Sequence, residues 1–148
     1  MVMTLRVTIE RGMYLKEDFM FEIEMQSDNT LLDLHYAIQE TVDFDNDHPF
    51  EFLFGRHLKN RKFVFEPEEG FREWNDYYDF YESIPLAEVW PPPEKNVQLF
   101  YHFDFGDDWY FKIRKMSKKD TKPEPEVKYP RVTKREGNKP KQYPNMEE

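Results

Sequence analysis

The segment Val97–Ile113 constrains the fold of this 148-residue chain more than any other part of its sequence. It contains two runs rich in Phe, Tyr, Trp, Val and Ile, which favour strands, on either side of the turn segment 104–108. Gly106 can take a positive φ without steric cost and Asp tolerates turn geometry, so the segment predicts a β-hairpin. Alternation predicts one core face formed by Val97, Leu99, Tyr101, Phe103, Trp109, Phe111 and Ile113, joined by Phe105 if the turn begins after it.

The residues before this hairpin predict further strands and one main helix. Alternation over Leu5–Ile9 and Phe19–Met25 predicts a first hairpin, and two more strands are expected at Phe50–Phe54 and Lys62–Phe65. Thr30 is a good helix N-cap with Asp33 three residues later, close to a capping box. The helix is predicted from its apolar spacing, carried by Leu31, Leu34, Ile38 and Val42. The fold class is therefore α+β, with the helix packed on a mixed or antiparallel sheet.

Charge divides the chain into two parts. Residues 1–111 carry 9 Lys/Arg and 24 Asp/Glu, a net charge of −15, whereas residues 112–148 carry 12 and 6, a net charge of +6. We predict one α+β domain over residues 1–116 and a basic extension over 117–148, with an edge strand at Val127–Val132 followed by a loop or tail. The acidic body should repel nucleic acid, so only residues 117–148 are candidates for contact with phosphate. The alternative is that this segment lies against the acidic body or stays solvated.

Composition narrows the cellular setting. Cysteine is absent, which excludes disulfides and Cys-ligated metal sites. The N-terminal residues do not resemble a signal peptide, and no apolar run approaches the length of a membrane span. We expect a cytoplasmic protein that does not contact a membrane.

The segment 66–83 combines aromatic and acidic residues. Phe71, Trp74, Tyr78 and Tyr81 recur at helical spacing among seven acids and one arginine. One interpretation is a helix whose aromatic stripe closes the core. The other is a surface that docks an unknown, basic protein partner. Its candidate residues are Phe71, Glu73, Trp74, Asp76, Tyr77 and Asp79.

A second set of candidate residues carries imidazole and carboxylate groups. If the fold brings them together, they form a polar binding cluster made of His35, His48, Asp104, Asp107, Asp108 and Trp109. The sequence has no H-x-x-x-H or H-E-x-x-H spacing, so we predict no metal ligands, no catalytic residues and no cofactor. Asp side chains in turns commonly bond nearby backbone N–H groups instead. By strand alternation His102 shares a face with Asp104, which allows a hydrogen bond between them.

Several motifs resemble those of the plasmid pRiA4b ORF-3-like family. Residues 30–39 are similar to its "tLxdLHxxIQ" helix, and His48 with Phe52 to its "H-x-x-x-F" motif. Residues 101–113 are similar to its "YxYDFGDxWxHxI" hairpin, while Tyr129-Pro130, Gly137 and Pro140 weakly match its C-terminal segment. The resemblance implies a compact ββαβ-type, ubiquitin-like (β-grasp-related) core with a C-terminal hairpin and extension, encoded on plasmids or insertion elements.

Two departures from the family pattern bear on function. Phe111 stands where the family usually has His, and residues 140–145 lack the acidic, Gly-rich "P-x-E-D-x-G-G" ending. A family site that uses those residues would be incomplete in this chain. We therefore expect a non-enzymatic protein-interaction module. The alternatives are a mobile-element accessory protein that acts near DNA and, third, a metal-dependent enzyme that uses His and Asp residues.

Overall fold

The computed structural model of the chain describes residues 1–67 and 73–144. These residues form seven strands, two α-helices and one 3₁₀ turn, so the architecture is α+β and mostly sheet. The elements, in chain order, are β1 (Val2–Arg11), β2 (Met20–Gln26), α1 (Leu31–Val42), β3 (Phe50–Gly55), β4 (Phe63–Phe65), α2 (Trp74–Glu82), the 3₁₀ turn (Leu86–Glu88), β5 (Gln98–Phe103), β6 (Trp109–Lys115) and β7 (Arg131–Glu136).

The strands form one sheet in the order β4-β3-β5-β6-β1-β2-β7. Every pairing described in it is antiparallel, and the predicted hairpin β5–β6 occupies its centre. The N-terminal hairpin β1–β2 is also confirmed, and it joins the central hairpin through the β1–β6 pairing. The mixed α+β class is thus established, whereas the finer ubiquitin-like relation stays a prediction.

One face of the sheet forms the core. In the central hairpin Phe103 pairs with Trp109, Tyr101 with Phe111 and Leu99 with Ile113. All six side chains are buried, as the alternation predicted, together with Val97. Phe105 is not part of this face: it is half exposed because the turn already begins at Asp104.

Helix α1 covers this core and confirms the predicted N-cap. The Thr30 Oγ1 accepts from the Asp33 N–H, and the Asp33 carboxylate accepts from the Thr30 N–H at 2.8 Å, which completes a capping box. The helix ends at Asp43, whose φ of 61° is left-handed and whose N–H bonds the carbonyls of Gln39 and Glu40. Leu31, Leu34 and Ile38 are fully buried against the sheet.

Helix α2 closes the same side of the core. Tyr81 is fully buried, its hydroxyl donates to the Phe65 carbonyl at 2.9 Å, and Tyr78 packs half-buried beside it. For these two residues the aromatic stripe therefore contributes to the core. Phe71 lies outside the described residues, and Trp74 is the first residue of the helix.

The predicted edge strand exists but begins four residues later than expected. It spans Arg131–Glu136 rather than Val127–Val132, and it pairs with β2 at the end of the sheet. Val132 packs on the core opposite Ile23. The strand otherwise carries polar and charged side chains, so apolar alternation could not locate its ends. The position is instead set by pairing with β2, including a bulge between Glu22 and Ile23.

Candidate functional site

The turn of the central hairpin is built by an aspartate rather than by its glycine. Asp104 has a φ of 62°, and its Oδ1 accepts from the N–H groups of Gly106 at 3.0 Å and Asp107 at 3.1 Å. Asp108 is also left-handed, with a φ of 53°, and its N–H bonds the Asp104 carbonyl. Gly106 does not have a positive φ, contrary to the mechanism expected from the sequence. Hydrogen bonds that the following backbone N–H groups donate to the Asp104 carboxylate explain why Asp adopts the strained conformation here.

The second oxygen of Asp104 faces a histidine at the end of the sheet. Asp104 Oδ2 lies 3.3 Å from His48 Nε2, and the same nitrogen is 2.7 Å from the Tyr143 hydroxyl. That hydroxyl donates to Asp47 Oδ2 at 2.8 Å, so His48 donates to Tyr143 and Tyr143 donates to Asp47. We refer to His48, Asp47, Asp104 and Tyr143 as the end cluster.

The electrostatics of the end cluster follow from these bonds. Partial desolvation opposes ionisation of Asp47, but hydrogen bonds from Tyr143 and Gln142 outweigh it and lower the pKa of that carboxyl. Desolvation and the bond to Asp47 raise the pKa of the Tyr143 phenol. Asp107, nearby on the turn, has a raised pKa because of desolvation and the adjacent Asp104 charge. The ionised carboxylate and the neutral phenol are therefore the stable forms.

The C-terminal segment is clamped through this cluster. Gln142 is buried, donates from Nε2 to Asp47 Oδ1 at 2.8 Å and accepts the Asp45 N–H at 2.7 Å. Together with Tyr143 it holds the segment against the loop that follows α1. The polar contacts of His48 therefore help to hold the C-terminal segment against the loop that follows α1.

His102 is bound by two carboxylates on the sheet face away from the helices. Its Nδ1 lies 2.7 Å from Glu51 Oε2 and its Nε2 lies 2.8 Å from Asp108 Oδ1. The hydrogen bond to Asp104 that alternation suggested does not form, because Asp104 turns left-handed and directs its carboxylate into the loop and toward His48. The imidazole also stacks on the Tyr110 ring, 4.0 Å between centroids.

Arg61 completes the His102 site. Its guanidinium forms a bidentate pair with Glu51 at 2.7 and 2.8 Å. Burial alone would raise the pKa of Glu51, but the bonds from Arg61 and His102 lower it to about 2. Asp108 is therefore placed with His102, on a different side of the sheet from the helix-facing His35.

His35 lies in the core under α1. Its Nδ1 accepts from the Tyr101 hydroxyl at 2.5 Å, and that hydroxyl accepts from Gln39 Nε2 at 3.0 Å. The ring stacks on Phe50 with 3.6 Å between centroids. Burial lowers the pKa of His35 from 6.5 to about 3, and the nearby Asn46 side chain opposes this shift. The imidazole is consequently neutral and serves packing.

Two atoms at the edge of this network lack a hydrogen bond of good geometry among the described residues, His35 Nε2 and Asn46 Oδ1. A neutral imidazole that accepts at Nδ1 carries its proton on Nε2, so the two unpaired groups are a donor and an acceptor. Asn46 is held by its own N–H, which donates to Gln39 Oε1 at 3.0 Å. His35, Tyr101, Gln39 and Asn46 thus form one buried polar network.

The six residues of the predicted polar cluster do not form one site. His48 and Asp104 meet in the end cluster, with Asp107 next to it, while Asp108 binds His102 and His35 is buried. Trp109 is fully buried against Phe44 and packs over Gly12. In residues 1–67 and 73–144 no group of three or more His, Asp or Glu residues is arranged to hold a metal ion.

Four of the predicted docking residues have described side chains on or beside α2. Glu73, Asp76 and Asp79 are exposed, and Tyr77 is half-buried. Asp76 has a structural role, because its carboxylate accepts from the Glu73 N–H at the start of the helix. Asp79 and Glu82 remain exposed along the helix.

Helix α1 extends this surface. Tyr36, 48% exposed, stacks on Tyr78 across the two helices, with 6.4 Å between centroids. Desolvation raises the pKa of the Tyr36 phenol, and the neighbouring Tyr78, Glu82 and Asp33 raise it further. The two helices carry five acids (Asp33, Glu40, Asp76, Asp79 and Glu82) and no lysine or arginine. We call the outward side of α1 and α2 the helical face.

Comparison with known proteins identifies the family. The profile of the family "Plasmid pRiA4b ORF-3-like protein" matches residues 2–142, nearly the whole chain. The chain belongs to this family. This confirms the resemblance drawn from the helix and hairpin motifs. The search of curated proteins found no match.

A solved structure shares the fold of this pRiA4b ORF-3-like protein. It is the crystal structure of a protein of unknown function from Methanosarcina mazei Go1, 25% identical in sequence, with a TM-score of 0.64. The match covers 90% of the present chain and 68% of the other. It supports the architecture described above and names no activity.

The family motifs occupy structural positions in this pRiA4b ORF-3-like protein. Its Leu31 and Leu34 fill the core, His35 belongs to the buried network, and Asp104 builds the turn. Phe111, where the family usually has His, is fully buried against Tyr101 at 5.5 Å between ring centroids. The substitution extends the apolar face of the hairpin.

Four residues that contact the candidate site residues are not identified by the sequence analysis. Gln142 and Tyr143 come from the C-terminal segment, which carried no apolar pattern, and Glu51 with Arg61 come from strand β3 and the loop after it. Only Glu51 had a usable signal, since alternation of Phe50, Phe52 and Phe54 into the core directs Glu51 to the opposite face.

The described residues contain no helix both long and apolar enough for a membrane crossing.

Proposed function

We propose that this pRiA4b ORF-3-like protein is a non-enzymatic protein-interaction module, and that its helical face binds a basic partner. The observation that carries the proposal is the charge of that face: five acids without a lysine or arginine in either helix, around the exposed Tyr36. Aromatic residues supply contact area, and acidic residues steer a partner of opposite charge.

The placement of the polar side chains supports binding over catalysis. His35 is buried and neutral, and His102 is bonded on both ring nitrogens by carboxylates. His48 fastens the C-terminal segment through Tyr143. A metal-dependent enzyme remains an alternative proposal, for which the described residues supply the pair His48 and Asp104 but no third ligand.

A mobile-element role near DNA is a second alternative, motivated by the resemblance and by the +6 charge of residues 112–148. Several of these cations already have partners. Arg131 lies 2.6 Å from Glu24, Lys115 lies 2.9 Å from Asp120 and Lys134 lies 3.1 Å from Glu136. Neutralised cations contribute less to phosphate binding, so a protein partner is favoured.

Charge reversal on the helical face tests the proposal. Asp79→Lys with Glu82→Lys changes two exposed carboxylates on α2 and spares Asp76, which caps the helix. Tagged wild-type and variant proteins are used to isolate partners from the native host, with nuclease added so that DNA does not bridge them. We expect the wild type to retain basic proteins that the variant loses.

The matched control carries the same change of charge elsewhere. Glu88→Lys with Glu124→Lys reverses two exposed acids outside the helical face. Partners must be kept by this control and lost by the α2 variant. Equal retention by all three proteins, or partners that disappear with nuclease, would remove the proposal.

We further propose a cytoplasmic location and a ubiquitin-like relation of the fold. A cytoplasmic location is supported by the absence of cysteine. A ubiquitin-like relation is supported by the strand-strand-helix-strand order of β1, β2, α1 and β3.

A further inference from the structure

A groove of about 460 Å³ runs between α1 and the edge strand β7. Its floor is apolar, formed by Ile23, Ala37 and Val132, and Tyr36 lies on the helix side. Glu40 lines the groove from α1 and Arg135 lines it from β7. A shaped, partly apolar surface with opposite charges on its two walls is thus continuous with the helical face.

The groove exists because β7 extends the sheet beyond the helix. Arg135 pairs with Phe21, and Val132 pairs with Ile23. Phe21 and Ile23 are buried on the helix side of β2, so their β7 partners also face that side. Val132 and Arg135 therefore border α1 rather than the opposite face of the sheet.

The two charged walls of the groove do not neutralise each other. Within residues 1–67 and 73–144, neither Glu40 nor Arg135 has an opposite charge within 4.0 Å, and both side chains are exposed. Their neighbours on β7 differ, because Arg131 pairs with Glu24 and Lys134 with Glu136. Arg135 is thus the β7 cation that remains available to a ligand.

The α1 wall is the more negative of the two. Asp33 lies seven residues before Glu40, which places it on the same side of the helix about 10.5 Å away. Its Oδ2 caps the helix, yet the residue borders the groove. A ligand must therefore present positive charge toward α1 and negative charge toward β7, with an apolar group between them.

We infer that this groove is the docking site for a peptide segment of a partner protein that carries a basic residue for Glu40, an acidic residue for Arg135 and an apolar residue for the floor. The inference rests on the proposed function and assigns its binding site. Duplex DNA does not fit this chemistry, because it offers only negative charge to the acidic α1 wall.

Defined peptides test the site directly. The probes are six N-acetylated octapeptides with one Lys and one Glu separated by one, two or three Val residues, in both orders. Each is titrated into the uniformly ¹⁵N-labelled full-length protein while amide chemical shifts are recorded. We expect at least one peptide to give saturable shifts centred on Ala37, Thr41 and Val132.

Charge variants then connect binding to the two walls. Glu40→Lys and Arg135→Glu should each weaken the best peptide about two- to fivefold or more, since each reversal removes an exposed ion pair and puts like charges in its place. The matched controls are Glu88→Lys and Lys134→Glu. Lys134 is adjacent to Arg135 in sequence, but it pairs with Glu136 on the face of the sheet away from α1. Both controls should bind like the wild type.

Several results would overturn the inference. The first is that none of the six peptides gives a saturable shift. The second is that the wall variants and the wild type bind the best peptide with equal affinity. The third is that free lysine and glutamate give the same shifts as the peptides. If the groove variants keep the host partners but Asp79→Lys with Glu82→Lys loses them, the proposed function stands and the groove is not its site. If only the groove variants lose partners, the groove stands and the outer side of α2 does not.

Discussion

Acidification should destabilise this protein through one buried side chain, His35. Burial lowers the pKa of His35 in the folded state to about 3, against 6.5 for an exposed histidine. Between these values the unfolded chain binds a proton at this position and the folded chain does not. The contribution of neutral His35 is therefore fully present above pH 6.5 and is lost as the pH falls toward 3.

The size of the effect follows from the two pKa values. Linkage gives a loss of about 2–3 kcal/mol of unfolding free energy between pH 7 and pH 4.5. Glu51 contributes little to the change between pH 7 and pH 4.5, and its contribution is the same in both proteins compared below. Its pKa is lowered from 4.5 to about 2, so its contribution is lost only as the pH falls below that window.

The assay compares the wild type with His35→Gln. Both proteins are unfolded with urea at pH 7.0 and pH 4.5, and the unfolding free energy is extrapolated to water. Gln does not titrate, whereas every other ionisable group is common to the two proteins. The wild type should lose about 2–3 kcal/mol more than the variant on acidification, although the variant is less stable at pH 7.

The refuting result is equal pH dependence in the two proteins. It would mean that His35 has similar proton affinity in the folded and unfolded states, in contradiction to its burial beside Phe50 and its bond to Tyr101. Should His35→Gln not fold, His35→Asn, whose amide oxygen can accept from Tyr101, takes its place.

Two further predictions concern the central hairpin. Gly12→Ala should cost about 1–3 kcal/mol in a urea titration, because a Cβ at Gly12 would lie 2.1 Å from a carbon of the buried Trp109 ring. Gly106→Ala, whose Cβ would meet only the Asp104 carboxylate at 3.4 Å, is the control and should stay within about 0.5 kcal/mol. Asp104→Ala should cost about 1–3 kcal/mol by the same measurement, since it leaves turn N–H groups unpaired at a left-handed position. Asp104→Asn should cost clearly less, and equal losses would contradict the turn mechanism.

The elements that carry a strong periodic pattern were predicted correctly. Helix α1, its Thr30 cap and the two hairpins follow from short-range rules, because apolar spacing and capping chemistry act within a few residues. The buried face of β5 and β6 follows from alternation for the same reason.

The predictions that were wrong concern positions where hydrogen-bonded partners, and not the local sequence pattern, set the backbone conformation. The sequence pattern places β7 four residues too early, because the position of this strand depends on pairing with β2. The sequence predicts the positive φ of the turn at Gly106. Asp104 adopts it instead, because the Asp104 carboxylate accepts hydrogen bonds from the loop backbone. In both cases several local conformations were sterically acceptable.

The candidate sites show the same division more sharply. The sequence by itself determined which residue types were present for chemistry, the family, and the acidic, aromatic character of the helices. Tertiary structure decided that His35, His48 and His102 lie in three separate environments, and that β7 creates a groove beside α1. The physical reason is that strand order and register bring together residues that are distant in the chain, and these contacts leave no trace in local spacing.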